Sequence, residues 1–261
     1  MLLVVDIGNT NTVVGIFDGD RLLHHWRLMS GRRTSDELGI YLLGLFGLTG
    51  VETSEITGAA VSSVVPPLNA PWRDGLRRYL GVECLMIHSG LDMGISVDYV
   101  SPSEVGADRL VNAVAGVHKY GAPLIIVDFG TAITLDAISR EKKYLGGAIA
   151  PGLGVSMEAL YGKTAKLPKV SFDAPEKVVG RNTMESIQSG LMHGFSGLVD
   201  SLAKKIRHET GESTTVIATG GQAEAIAILS ETIEHVEPWL TLEGLRLLYD
   251  RNADGGDGVS N

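Results

Sequence analysis

The sequence predicts an α/β protein of two similar halves, each a mixed sheet that opens with a β-meander and is flanked by helices. Three observations carry this. An apolar strand ending at an Asp-x-Gly bend occurs twice, at Asp6 and at Asp128, 122 residues apart. Each bend leads into a second apolar strand and then a third. Alternating helix and strand patterns follow both meanders. The spacing is too long for a solenoid, whose repeats run to roughly 20–50 residues.

The first meander starts with Leu2 to Phe17, LLVVDIGNTNTVVGIF. Asp6 sits where a buried strand surfaces. Gly8 has no Cβ, so a ligand can approach the main chain there. Asn9, Thr10, Asn11 and Thr12 add amide and hydroxyl donors, and N–H groups of a turn can face an anion. A carboxylate beside donors suits a phosphate carrying a divalent metal. Asp18-Gly19-Asp20 is a hairpin turn into a third strand, Arg21 to Leu28. His24 and His25 are adjacent on it and point to opposite faces, so they do not chelate together. Ser35 is expected to cap a helix from Asp36 to about Leu45. Ile56 to Ser63 reads as a buried strand. Pro66-Pro67 is expected to break the chain before a helix ending near Tyr79, and Cys84 to His88 is another strand.

Ser89 to Val105 reads as irregular, and Glu104 to Tyr120 as a helix. Leu124 to Ser139, LIIVDFGTAITLDAIS, opens the second meander. Asp128, Gly130 and Thr131 correspond to Asp6, Gly8 and Asn9. One Asp-Gly bend alone is an ordinary hairpin; two with matching flanks point to a duplication whose bends face one cleft. The strand Tyr144 to Ile149 runs into GGAIAPG at 146–152 and a helix to about Leu160. Gly162 to Pro175 reads as a polar loop. Thr183 to about Glu209 is the longest helix. Thr215 to Thr219 is a strand ending at Gly220-Gly221, with helices at Gln222 to Ser230 and Leu242 to Arg251. The halves are drawn as 1–118 and 119–252, with 253–261 a glycine-rich acidic tail expected to be disordered.

Composition narrows the function classes. A net charge of −9 over 261 residues, with no basic cluster, argues against a nucleic-acid partner. No apolar run approaches the ~18 residues of a membrane span, and the apolar start meets Asp6 at once, unlike a signal peptide. A soluble, cytoplasmic protein is expected. The one cysteine, Cys84, reads as a small buried apolar residue. Gly162-Lys163-Thr164 lacks the earlier glycine of a Walker loop, since Met157 stands there. Gly220-Gly221 is either an ordinary strand-to-helix turn or a close approach for a nucleotide base or ribose. Asp108-Arg109 is either an acid at a helix start beside a solvated arginine, or a proton acceptor beside a carboxylate-binding fork. The residues alone lead to a Mg-nucleotide phosphotransferase with two phosphate bends.

With these residues in hand, the sequence closely resembles type III pantothenate kinases, of the acetate and sugar kinase/Hsp70/actin superfamily. The likeness is carried by DIGNTNT at 6–12, GADR at 106–109, DFGTAIT at 128–134, GGAIAPG at 146–152, KTAKLP at 163–168, TGG at 219–221 and LEGLRLLYDRN at 242–252. It implies two ribonuclease H-like (actin-like ATPase) domains and ATP-dependent phosphorylation of the 4′-hydroxyl of pantothenate, the first step towards coenzyme A. By resemblance, Asp6, Ile7, Gly8, Asn9, Thr10, Asn11, Thr12, Val13 and Thr131 hold ATP, with Asp6 organising Mg²⁺ through water and Gly220 and Gly221 at the adenosine. Asp108 is the proton acceptor. Tyr99, Gly106, Ala107, Asp108, Arg109 and Thr183 bind pantothenate. Asp128 holds a monovalent cation, K⁺ or NH₄⁺. A homodimer with sites near its interface is implied. Competing readings are a sugar or short-acid kinase of the same superfamily, or a non-catalytic ATP-binding regulator.

Overall fold

The structure, a computed structural model, describes residues 1–162 and 170–253. The KTAKLP stretch from Lys163 and the acidic tail from Asp254 lie outside the described residues. The chain forms two compact units. One comprises Met1–Ile95, Val100–Ala115 and the stretch from Thr241 onward; the other comprises Ser96–Tyr99 and Gly116–Leu240.

In the first unit, β1 (Leu2–Ile7), β2 (Asn11–Asp18) and β3 (Arg21–Met29) form the meander. α1 (Ser35–Thr49), β4 (Gly58–Ser63), α2 (Pro66–Leu80) and β5 (Cys84–Met86) follow. The sheet order is β3-β2-β1-β4-β5, antiparallel within the meander and parallel from β1 onward. Strand alternation puts Leu3, Val5 and Ile7 into a core with Leu38, Leu42 and Phe46 of α1 and Trp72 and Leu76 of α2. Val4 and Asp6 therefore occupy the other face. There Gly15 packs against Leu242, on α7 (Leu240–Ala253).

α3 (Ala107–Tyr120) carries the chain from one unit to the other. The second unit repeats the plan. β7 (Leu124–Phe129), β8 (Ala132–Ile138) and β9 (Lys143–Pro151) form its meander. α4 (Leu153–Gly162), α5 (Thr183–Thr210), β10 (Thr215–Gly220), α6 (Ala223–Ala227) and β11 (His235–Val236) follow. The order is β11-β10-β7-β8-β9-β6, where β6 (Ser96–Val97) is added beyond β9. Without β6 this is the first unit's order again. Ile125, Val127 and Phe129 enter a core with Met192, Val199 and Ala203 of α5, and Asp128 faces the opposite side, as Asp6 does.

Several local expectations are corrected. Thr34, not Ser35, caps α1, in a reciprocal pair with Glu37. Pro66 and Pro67 begin α2 rather than precede it, because the first turn needs no N–H from either residue. The stretch read as irregular contains β6 and a short 3-10 turn at Pro102–Glu104. Cys84 is half-buried, with burial raising its thiol pKa. Among the described residues, no helix is long and apolar enough to cross a membrane.

Candidate active site

Asp6 is the next-to-last residue of β1 and lies beside Ser62 of the parallel strand β4. The Ser62 hydroxyl donates to Asp6 Oδ1 at 2.5 Å. Burial pushes the Asp6 pKa up to about 7; the Ser62 bond opposes this and the charge of Asp108 adds to it. A desolvated carboxyl beside a second acid is short of positive charge. Mg²⁺ fits such a place, since it is held by one or two carboxylates, its own waters and substrate phosphate oxygens. Among the described residues there is no group of three or more His, Cys, Asp or Glu that could hold a metal.

The bend after Asp6 is held by the main chain and by a serine that sequence reasoning missed. Gly8 N–H donates to Asn11 O at 3.0 Å, and a Cβ on Gly8 would lie 2.9 Å from that oxygen. Ser30, just beyond β3, donates to Gly8 O at 2.6 Å and lies 2.8 Å from Thr12 Oγ1. Its N–H donates to Thr10 O at 2.9 Å. Ile7 and Thr12 are buried, which limits them to main-chain contact with a ligand, while Asn9 and Thr10 are exposed.

The second bend is one residue shorter. Asp6 lies opposite Val13 across β1–β2, whereas Asp128 lies opposite Thr134 across β7–β8. Gly130 N–H closes it on Ala132 O at 3.0 Å. Two further glycines press against it. Gly152 N–H donates to Thr131 O at 2.9 Å, and a Cβ there would collide with the carbonyls of Gly130 and Thr131. Gly220, at φ +94°, would place a Cβ 2.6 Å from Asp128 Oδ1. Gly221 N–H donates to Phe129 O at 3.1 Å. Asp128, Thr131, Gly220 and Gly221 are thus neighbours in one unit.

Asp108 and Arg109 stand in the first turn of α3. Gly106 O accepts from the N–H groups of Arg109 and Leu110 at 3.1 and 3.3 Å. Asp108 Oδ1 accepts from Arg109 N–H at 2.8 Å, and a Cβ on Gly106 would sit 2.5 Å from it. Ala107 is half-buried beside them. Arg109 is only 9% exposed, so it is no solvated arginine. Asp6, Ser62, Asp108 and Arg109 belong to the first unit.

Tyr99 and Thr183 belong to the second unit. Tyr99 follows β6 and meets Tyr144 edge-on at 6.3 Å between ring centroids. Thr183 is the first residue of α5, after the capping Asn182, whose Oδ1 accepts from Glu185 N–H at 3.0 Å. An open cavity of about 540 Å³ surrounds it, lined by Leu160, Arg181, Asn182, Ile187 and Leu191.

Comparison with known proteins bears on this arrangement. The family described as "Type III pantothenate kinase" matches residues 2–205. A type III pantothenate kinase of Exiguobacterium sp. is 47% identical over 97% of this chain and 99% of its own length. One from Geobacter sulfurreducens is 49% identical over 97% of this chain and 100% of its own. Among solved structures, the activator of the 2-hydroxyisocaproyl-CoA dehydratase from Clostridium difficile, with bound ADPNP, superposes with a TM-score of 0.59 at 15% identity. It covers 100% of this chain and 98% of that one. That likeness supports the actin-like fold alone.

Proposed function

The chain belongs to the type III pantothenate kinase family and phosphorylates pantothenate with ATP in coenzyme A biosynthesis, and from that premise we propose how its residues divide the work. The phosphoryl group goes to the 4′-hydroxyl. Asp6, Gly8, Asn9, Thr10, Asn11, the main chain of Ile7, Thr12 and Val13, and Thr131 bind the ATP phosphates. Gly220 and Gly221 lie along the adenosine, where the lack of side chains gives a flat approach. Asp6 holds Mg²⁺ through water. Asp128 holds a monovalent cation, K⁺ or NH₄⁺, and the fit is supported by a half-buried carboxylate wedged beside the main chain of Gly220. When bound, these cations would offset negative charge gathering on the transferred phosphoryl group.

What supports this reading is the placement of Asp6 and Asp108 in one unit, where the charge of Asp108 adds to the burial that raises the Asp6 pKa. Asp108 orients the hydroxyl and takes its proton late. The N–H of Arg109 donates to its Oδ1 and fixes the carboxyl at the helix start, where an aspartate is a weak base. Such a weak base suffices, because positioning dominates in a loose phosphoryl-transfer transition state. Arg109 is suited to the pantothenate carboxylate as a bidentate fork. Gly106 and Ala107 leave the helix start open. Tyr99 and Thr183 complete the pantothenate contacts.

A homodimer with sites near its interface fits the second unit, where Ile149, Tyr161, Val179 and Met184 are exposed apolar residues. The cytoplasm is the matching compartment. A coupled assay with ATP, Mg²⁺, K⁺ and pantothenate tests the whole reading. ADP release with pantothenate, absent with hexoses and dependent on both cations, is expected. Equal turnover of hexoses, or turnover indifferent to Mg²⁺, would contradict it.

A further inference from the structure

β9 carries a bulge that β3 shares at the matching place in the first unit, where Leu23 is the extra residue; what differs is the use made of it in β9. Ala137 pairs with Gly146 and Ile138 with Tyr144, so Leu145 is an extra residue. Bulges of this kind bend a strand and re-aim side chains, often beside active sites. Gly146 takes φ +104°, and the space its Cβ would fill is occupied by the Tyr99 ring, 2.9 Å from the Cβ position at Cε2. That ring also meets the Tyr144 ring in a T-shaped contact, 6.3 Å between centroids.

Tyr144 is fully buried, and its hydroxyl donates to Asp136 Oδ1 at 2.6 Å. Asp136 is 1% exposed, and its second oxygen accepts from Thr134 Oγ1 at 3.0 Å. A carboxyl in a strand interior is costly to bury even when hydrogen-bonded, and apolar residues of like volume would stabilise the sheet as well or better. The chain leading to Tyr99 is fixed to the same strand. Ser96 N–H donates to Lys142 O at 3.1 Å and Asp98 N–H to Tyr144 O at 2.9 Å. Tyr99 itself stays 38% exposed, so it is anchored to this strand yet open to a ligand.

We infer that the buried Asp136–Tyr144 pair and the side-chain-free surface at Gly146 form a positioning device for Tyr99 that sets the affinity for pantothenate. This rests on the reading of Tyr99 as a pantothenate contact. Asp136, Tyr144 and Gly146 are positioning residues: they act through Tyr99. A ring already ordered before binding loses less freedom when substrate arrives.

The test is steady-state kinetics on the full chain, with each substrate varied in turn, for Tyr99→Ala, Tyr144→Phe, Gly146→Ala and Asp200→Asn, each also melted. Tyr144→Phe and Gly146→Ala should raise the pantothenate KM by about threefold to tenfold, the worth of one pre-ordered side chain. The ATP KM should stay within about twofold. Tyr144→Phe on top of Tyr99→Ala should add nothing. Asp200→Asn, a destabilising change elsewhere in the same unit, should lower Tm without touching the pantothenate KM. If Gly146→Ala does not fold, Tyr144→Phe carries the test, since it keeps the ring. A normal pantothenate KM in Tyr144→Phe, or equal rises for both substrates, overturns the device while Tyr99→Ala still raises the pantothenate KM. A normal pantothenate KM in Tyr99→Ala instead removes the Tyr99 reading, and the device with it.

Discussion

The Ser62 hydroxyl reaches across two parallel strands to donate a 2.5 Å hydrogen bond to Asp6. That bond favours the ionised carboxyl, yet burial outweighs it and Asp108 adds to the burial effect. The outcome is an acid that titrates near neutrality until a cation arrives.

The cation-free protein should therefore lose stability as pH rises from about 4 to about 7. Asp6 goes from 3.8 in an ordinary setting to about 7 when folded. Between those values the folded state binds the extra proton, so folding is favoured at the acid end and the advantage is gone above pH 7. Asp6→Asn should remove this dependence and stabilise the cation-free protein at pH 8, by on the order of 2–4 kcal/mol. Urea unfolding at pH 5 and pH 8, without Mg²⁺ or nucleotide, measures it. Identical pH profiles for the two proteins would refute the assignment.

Asp200 gives the opposite sign. Burial raises its pKa, but hydrogen bonds from Glu231 N–H, the Ser230 hydroxyl, and the hydroxyl and N–H of Thr232 outweigh it and hold the acid below its usual range. The stabilisation is present above the unfolded pKa and lost as pH falls through the folded one. Asp200→Asn should cost about 1–3 kcal/mol at pH 7 and progressively less towards pH 3. A constant penalty across that range would contradict the ionised hydrogen-bonded state.

Gly220→Ala should be destabilising and should weaken the response to K⁺. Its φ of +94° disfavours any side chain, and the new methyl would press on Asp128 Oδ1. The strain alone is about 1–3 kcal/mol. Thermal melts and a K⁺ titration of turnover read the two effects separately. An unchanged K⁺ half-saturation with a lowered Tm would detach Asp128 from the cation site.

Much of this site is visible in the sequence for local reasons. A buried strand that ends on an acid and then a glycine announces its own bend, so Asp6 and Asp128 can be placed without coordinates. Their equivalence follows from matching flanks, and both units share one strand order. What sequence periodicity does not carry is long-range pairing. Ser62 lies 56 residues from Asp6 and is polar in a strand of small residues, so nothing local marks it as a partner. Ser30 sits just beyond a strand and reads as loop. β6 has two residues, too few to show an alternation, and only its pairing with β9 defines it. The Asp136–Tyr144 bond could have been suspected from an acid inside an apolar strand, a residue that needs a buried partner.

The central claim, that Asp108 accepts the proton of a hydroxyl held next to the Asp6 site, is tested most directly by turnover of Asp108→Asn with pantothenate binding followed by calorimetry. A fall in kcat of about 10²- to 10⁴-fold, with pantothenate still bound and Tm unchanged, is predicted. Near-normal kcat in the folded, substrate-binding variant would contradict it.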